Sequence, residues 1–118
     1  MLHTTELPRL DELTLPELVL PEQSNPYGTL FGPNALALLG KAAFLVATRY
    51  TRQSVVMASA GAIEFRRPVP VGALLKLAAR VVRTGRSSLT ARVVGCLDAA
   101  PGTRAEEVLR GDFELVAV

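Results

Sequence analysis

The chain has a single histidine, a single cysteine and no tryptophan among its 118 residues. One cysteine excludes an intrachain disulfide, and Cys96 with His3 is too small a donor set for a His/Cys zinc cluster, so no metal site is expected. The same scarcity argues against Ser-His-Asp and Cys-His nucleophile systems, because His3 stands at the start of the chain, where order is poor. Aromatics are few, four Phe and two Tyr, and the 13 basic residues are dispersed. Nucleic-acid binding needs a clustered basic patch or stacking aromatics, and neither is present. The most apolar stretch, 35–48, is broken by Lys41 and falls short of the roughly 20 residues that a membrane span requires. Glu6, Asp11, Glu12 and Glu17 in the first twenty positions argue against a secretory leader, so the expected location is the cytoplasm. One absence is local: no Asp or Glu lies between Glu22 and Glu64.

What is present describes a folded domain. Hydrophobic residues make up 49% and charged residues 20%, with a formal net charge of +2. That balance predicts one packed domain over 1–118, with 1–12 as a loose arm. A mean hydropathy of +0.30 is high for so little interior and points to apolar surface covered at a subunit interface.

The pattern changes along the chain. Residues 13–21 (LTLPELVLP) carry Pro16 and Pro21 and fit an edge strand or an irregular one. Residues 22–34 hold Asn-Pro, Tyr-Gly and Gly-Pro pairs and read as a loop of several turns. Gly32 suits the N-cap and Pro33 the first position of a helix over 34–49, about 24 Å long. This segment is almost wholly apolar, which predicts burial on all sides. Asn34, Lys41 and Thr48 recur every seven residues as one narrow polar stripe, flanked by Gly40, Ala43 and Ala47. A glycine inside a helix costs about 1 kcal/mol relative to alanine, so Gly40 points to a close approach by another element.

From residue 55 the apolar period becomes two. Four strands are expected, over 55–66, 73–83, 87–97 and 107–117, with a hairpin at 84–86 and a second turn at 99–103. One long helix and antiparallel strands with one apolar face predict an α+β fold, the sheet curved around the helix. Arginines on the other face fit a solvated surface of cross-strand ion pairs.

NPYGTLFG (25–32), the apolar helix after it, IEFRRPVPVG (63–72), GRSS (85–88) and GDFELVAV (111–118) together resemble the hotdog-fold acyl-CoA thioesterases. The resemblance covers about 18–118 and implies a long central helix wrapped by an antiparallel sheet of five or six strands. It implies homodimers joined edge to edge, assembling further into tetramers or hexamers, with acyl-CoA at the subunit interface. Coenzyme A then enters as part of the substrate, and no separate cofactor is expected.

The resemblance also assigns roles. Gly32 takes the position whose backbone N–H donates to the thioester oxyanion, in keeping with the free N–H groups and partial positive charge of a helix N-terminus. Pro33 replaces the second glycine of the family's pair and removes one N–H. Asn25 takes the place of an amide that holds the carbonyl or the water, and equally fits an ordinary Asn-Pro turn. The family's helix acid, about two turns beyond the oxyanion glycine, falls on Gly40, so the usual general base or nucleophile is missing. Lys41 is expected to reach an interface or a phosphate. Glu64 and Glu22 are the remaining carboxylates with a claim, and both also fit exposed positions. Arg67, Arg86, Ser87 and Ser88 are the implied coenzyme A contacts, with Arg83 secondary, since guanidinium forks suit phosphate. Repressors of this fold that sense malonyl-CoA also lack the helix acid. The resemblance thus implies a thioesterase with an atypical site, or else a non-catalytic acyl-CoA-binding or structural protein.

Overall fold

The computed structural model describes residues 9–98 and 104–118. In chain order it contains β1 (Glu12–Leu18), a 3-10 turn (Pro21–Gln23), α1 (Gly32–Thr51), β2 (Val55–Ala60), β3 (Glu64–Phe65), β4 (Leu74–Thr84), β5 (Ser88–Leu97) and β6 (Glu106–Ala117). The strands form one open antiparallel sheet in the order β1-β4-β5-β6-β2, with β3 following β2 along the β6 edge. None of the helices in the described residues is long and apolar enough to cross a membrane.

Strand parity decides which side chains meet the helix. Leu75, Leu77 and Ala79 of β4, Leu89, Ala91 and Val93 of β5, and Leu109, Phe113 and Leu115 of β6 all turn to one face and are buried. Against them α1 buries Ala35, Leu38, Leu39, Ala42, Ala43, Val46 and Ala47. Four alanines in that set let the helix axis lie close to the sheet. No polar or charged residue is buried among the described residues.

Several expectations are corrected. The helix is not buried on all sides: Leu36, Phe44, Leu45 and Tyr50 remain 38–44% exposed, because the sheet covers one side of α1 and does not enclose it. Of the polar stripe only Lys41 is exposed; Asn34 and Thr48 are half-buried, and the Thr48 hydroxyl is buried without a hydrogen-bond partner. The helix begins at Gly32 with Phe31 as its N-cap, one residue before the expected cap, and extends to Thr51. The segment 55–66 is two strands, so five follow the helix instead of four. The β2 register shifts between Met57 and Ser59, and Gly61 leaves the regular ladder to bond Asp112 O at 2.8 Å. Glu12 belongs to β1 and not to a loose arm, since it pairs with Arg80. Residues 1–8 and the expected 99–103 turn lie outside the described residues.

Lys41 also departs from expectation. It pairs with Glu17, which sits on the core face of β1 opposite the buried Leu75. Glu17 would otherwise place an unpaired, largely covered carboxylate at the margin of an apolar core, which is costly. Lys41 therefore ties the uncovered side of α1 to the β1 edge.

The glycines yield two opposite expectations. A Cβ on Gly95 would come within 2.8 Å of Leu109 Cδ1 and 3.3 Å of Leu77 Cδ2, both packed in the core. A Cβ on Gly40 would make only ordinary contact, 3.4 Å from Met57 Cε. Gly95→Ala should destabilise by about 1–3 kcal/mol through overpacking. Gly40→Ala should stabilise by up to about 1 kcal/mol through helix propensity. Urea unfolding midpoints that move the same way for both variants would contradict this packing.

Candidate active site

The entrance to α1 is built by the loop over 24–31. Asn25 organises it. Its Oδ1 accepts the N–H groups of Tyr27 at 3.0 Å and Thr29 at 3.1 Å, and its Nδ2 donates to Thr29 Oγ1 at 2.8 Å. Its backbone N–H bonds Thr29 O at 2.8 Å and its carbonyl accepts from Gly28, whose φ of +80° suits glycine. The Asn-Pro turn is thus realised, and one N–H of the Asn25 amide is left uncommitted. The loop is stitched to the 68–72 turn by Leu30 N to Val69 O at 2.7 Å and Val71 N to Gly28 O at 3.0 Å. Phe31 N bonds Gln23 O at 2.8 Å and fixes the last step into the helix.

This framework presents Gly32 on the surface, with open space where a side chain would be. The first-turn N–H groups of Gly32 and Asn34 have no acceptor within the helix, and Pro33 has none to offer. The entrance therefore combines partial positive charge with two outward donors. Tyr27, 87% exposed, and Phe31, 47% exposed, form an apolar rim beside it.

Gly40 lies about 12 Å along the helix from Gly32. Its nearest neighbours are Met57 Cε and Phe113 Cε1, 3.4 Å and 3.9 Å from an ideal Cβ. Neither the helix nor this neighbourhood supplies a carboxylate. Glu64 stands opposite Arg110 in the β3–β6 ladder, on the outer face of the sheet and away from the face that carries α1 and Gly40. Glu22 is exposed on the 3-10 turn before the loop.

The phosphate candidates divide into two groups. Arg67 Nε stands 2.8 Å from Glu106 Oε2, at the start of β6. Arg86 lies in the β4–β5 hairpin, where Ser87 O accepts Ala117 N at the other end of β6. The length of β6 separates them by roughly 30 Å. One chain does not bring them together. Arg86, Ser87 and Ser88 line a recess with Tyr50, Thr51 and Leu89 beside the C-terminal end of α1.

The outer face is a lattice of paired charges, as expected for its arginines. Arg92 makes a two-pronged contact with Asp112 at 2.9 and 3.1 Å, and the Thr90 hydroxyl bonds Glu114. Hydrogen bonds from Arg110, and then from Arg66, hold the Glu107 carboxyl below its ordinary range. Arg83 borders this lattice beside Arg92 and Glu114. Among the described residues no cluster of His, Cys, Asp or Glu could hold a metal ion.

Two features were not visible as site features in the sequence. Met57 approaches Gly40 only because β2 parity sets it opposite the buried Leu115. The two sheet edges also differ. The β1 edge carries Glu12, Pro16 and Glu17, whereas β2 reads VVMASA, without charge or proline, and exposes Val56. Charged and proline residues blunt an edge, and β2 has neither.

The sequence profile described as the thioesterase superfamily matches residues 27–98, from the entrance loop to the end of β5. The chain belongs to this superfamily. It is 35% identical over 101 residues to an uncharacterised acyl-CoA thioester hydrolase of Zymomonas mobilis, covering 86% of this chain and 68% of that protein. The solved acyl-CoA hydrolase of Agrobacterium tumefaciens superposes with a TM-score of 0.84 at 35% identity, covering 98% of this chain and 46% of that one. A solved hexameric acyl-CoA thioesterase gives 0.82 at 30% identity, covering 91% and 69%. The architecture, one helix against an open six-stranded antiparallel sheet, is the hotdog fold of these thioesterases. The chain spans about half the length of its Agrobacterium relative and about two thirds of the other two.

Replacing Asn25 tests the brace of this superfamily member's entrance loop. Asn25→Ala should lower stability by about 1–3 kcal/mol, since three side-chain hydrogen bonds are lost at a partly buried site. Unchanged thermal melting would show that the loop is held without it.

Proposed function

We propose that this thioesterase-superfamily chain binds acyl-CoA thioesters and hydrolyses them slowly, in a cleft made by two copies joined along β2. The observation that carries the reading is the exposed α1 entrance, where Gly32 borders open space and the first-turn N–H groups of Gly32 and Asn34 have no acceptor within the helix. A thioester carbonyl oxygen placed there would gain charge as water adds, and donors fixed by the backbone stabilise that charge without reorganising. The water oxygen bonds the acyl carbon, the C–S bond breaks, and the thiolate takes up a proton. Asn25, seven residues before Gly32 in the entrance loop, keeps one free side-chain N–H that could help hold the carbonyl or the water. The helix offers no carboxylate to take the water's proton, so turnover is expected to be slow.

Pairing through β2 is supported by the absence of edge protection and by the apolar residues exposed beside it, Val56, Met57 and Phe44. It also fits the two separated arginines, which can serve one ligand only if different copies supply them. The 3′-phosphate and pyrophosphate of coenzyme A would engage Arg86, Ser87 and Ser88 from one copy. That a relative is hexameric supports self-association in general. A purely binding role is the second reading, favoured by the apolar surroundings of Gly40.

The deciding experiment measures thiol release from a panel of acyl-CoAs together with calorimetric binding. Slow release with clear binding is expected; binding without release supports the second reading, and neither would discard both. Arg86→Ala should weaken binding about tenfold through loss of a charge-assisted phosphate contact. Val56→Lys should give a monomer by sedimentation, and an unchanged oligomer would reject the β2 interface.

A further inference from the structure

The turn over 52–54, where α1 hands over to β2, borders a recess that the reading above leaves unassigned. Phe44, Thr48, Arg52, Gln53, Ser54 and Val55 line it, and it encloses about 620 Å³. It shares Gln53 and Val55 with the recess of Arg86, Ser87 and Ser88, so the two adjoin. Phe44 contributes a ring that is 44% exposed. Thr48, one turn further along α1, has a buried hydroxyl without a hydrogen-bond partner. Gln53 bonds Thr51 through its backbone, which leaves its side-chain amide for another partner.

Arg52 is the residue that needs a reason. It caps α1 in the left-handed region, at φ 55° and ψ 33°, and is the one non-glycine residue with positive φ among the described residues. Glycine is usual at such a cap, because a Cβ is strained there. The helix C-terminus does not require a second cation, since Arg49 already stands in its last turn. Nor does Arg52 serve an ion pair. Lys41, Arg66, Arg67, Lys76, Arg92 and Arg110 each meet a carboxylate, whereas Arg52 and Arg86 meet none among the described residues. A strained residue with an uncommitted guanidinium beside a recess points to a ligand.

We infer that this recess seats the adenine of the coenzyme A thioester, with the base laid on the Phe44 ring, the Arg52 guanidinium against it and the Gln53 amide at its edge. Aromatic rings and guanidinium planes both stack on bases, and a glutamine amide matches the adjoining donor and acceptor of adenine. In coenzyme A one ribose carries both the base and the phosphates, so a base recess must adjoin a phosphate recess, as these two do. A free adenine nucleotide offers the same chemistry; the choice of coenzyme A rests on the acyl-CoA reading above.

The test is calorimetric binding of three probes: S-butyl-coenzyme A, a non-hydrolysable thioether; S-butyl-4′-phosphopantetheine, which lacks the nucleoside; and ATP. The parent should bind the first about tenfold or more tightly than either of the others. Arg52→Gly and Phe44→Leu should each weaken S-butyl-coenzyme A about tenfold, the scale of a stacked base, and leave S-butyl-4′-phosphopantetheine within about twofold. Leucine keeps an apolar side chain beside β2 and removes only the aromatic face. Arg52→Gly should melt no lower than the parent, because glycine relieves the left-handed strain. A fall in its melting temperature would make Arg52 a structural cap and overturn the inference. So would unchanged S-butyl-coenzyme A affinity in either variant, or equal weakening of both thioethers. ATP binding as tight as that of S-butyl-coenzyme A would make this a free-nucleotide site and also overturn it. A parent that binds both thioethers equally overturns the inference alone; a parent that binds neither overturns the acyl-CoA reading itself, and this inference with it.

Discussion

The structure depends on the contact between one side of α1 and the alternating apolar face of β4, β5 and β6. Ala35, Ala42, Ala43 and Ala47 bring the helix close, and Leu77, Ala91, Val93, Phe113 and Leu115 receive it. No residue in this contact is a buried polar or charged one among the described residues, so shape and hydrophobic burial dominate the placement of the helix, with the Lys41–Glu17 pair at its margin. Each element of the proposed site follows from that placement. The entrance at Gly32 lies at one end of the contact, the Arg86 hairpin near the other, and Gly40 on the flank toward β2.

Covering only one side of a helix leaves consequences at the edges. On the β1 side the exposed margin is closed by charge, with Lys41 reaching Glu17 and Pro16 interrupting the edge. On the β2 side nothing comparable is present, and apolar side chains of strand and helix remain in solvent. A small domain cannot cover all of its apolar surface by itself. The asymmetry points self-association to one edge, and the same edge carries Met57 and the approach to Gly40. Assembly and ligand handling are therefore coupled in this reading: the surface that needs a partner is the surface that flanks the cleft.

In the proposed reading, the site would pair a good oxyanion environment with a poor environment for a base. Backbone donors at the α1 entrance are held by a loop that Asn25 cross-links and that the 68–72 turn anchors. Beside Gly40, by contrast, the contacts are a methyl group and a ring edge. The outer-face carboxylates do not compensate, because Glu64, Asp112 and Glu114 lie on the far side of the sheet, and Asp112 and Glu114 are engaged there by Arg92 and Thr90. An oxyanion site without a nearby base favours holding a thioester over cutting it.

Much of this was legible in the residues. Period two after residue 55 gave the parity of β4, β5 and β6, because a half-buried strand alternates whatever its neighbours are. That α1 carries no acid was readable from the lack of any carboxylate over 23–63. The entrance at Gly32 was readable to within one residue, from Gly-Pro before an apolar run. Local sequence determined those features because each depends on residues adjacent in the chain. Only the tertiary structure decided which side of α1 stays uncovered, that Lys41 meets Glu17, that Glu64 faces away from Gly40, that Arg67 and Arg86 stand apart, and that Met57 lies against Gly40. These depend on strand order and register, which bring together residues far apart in the chain, and no local pattern encodes them.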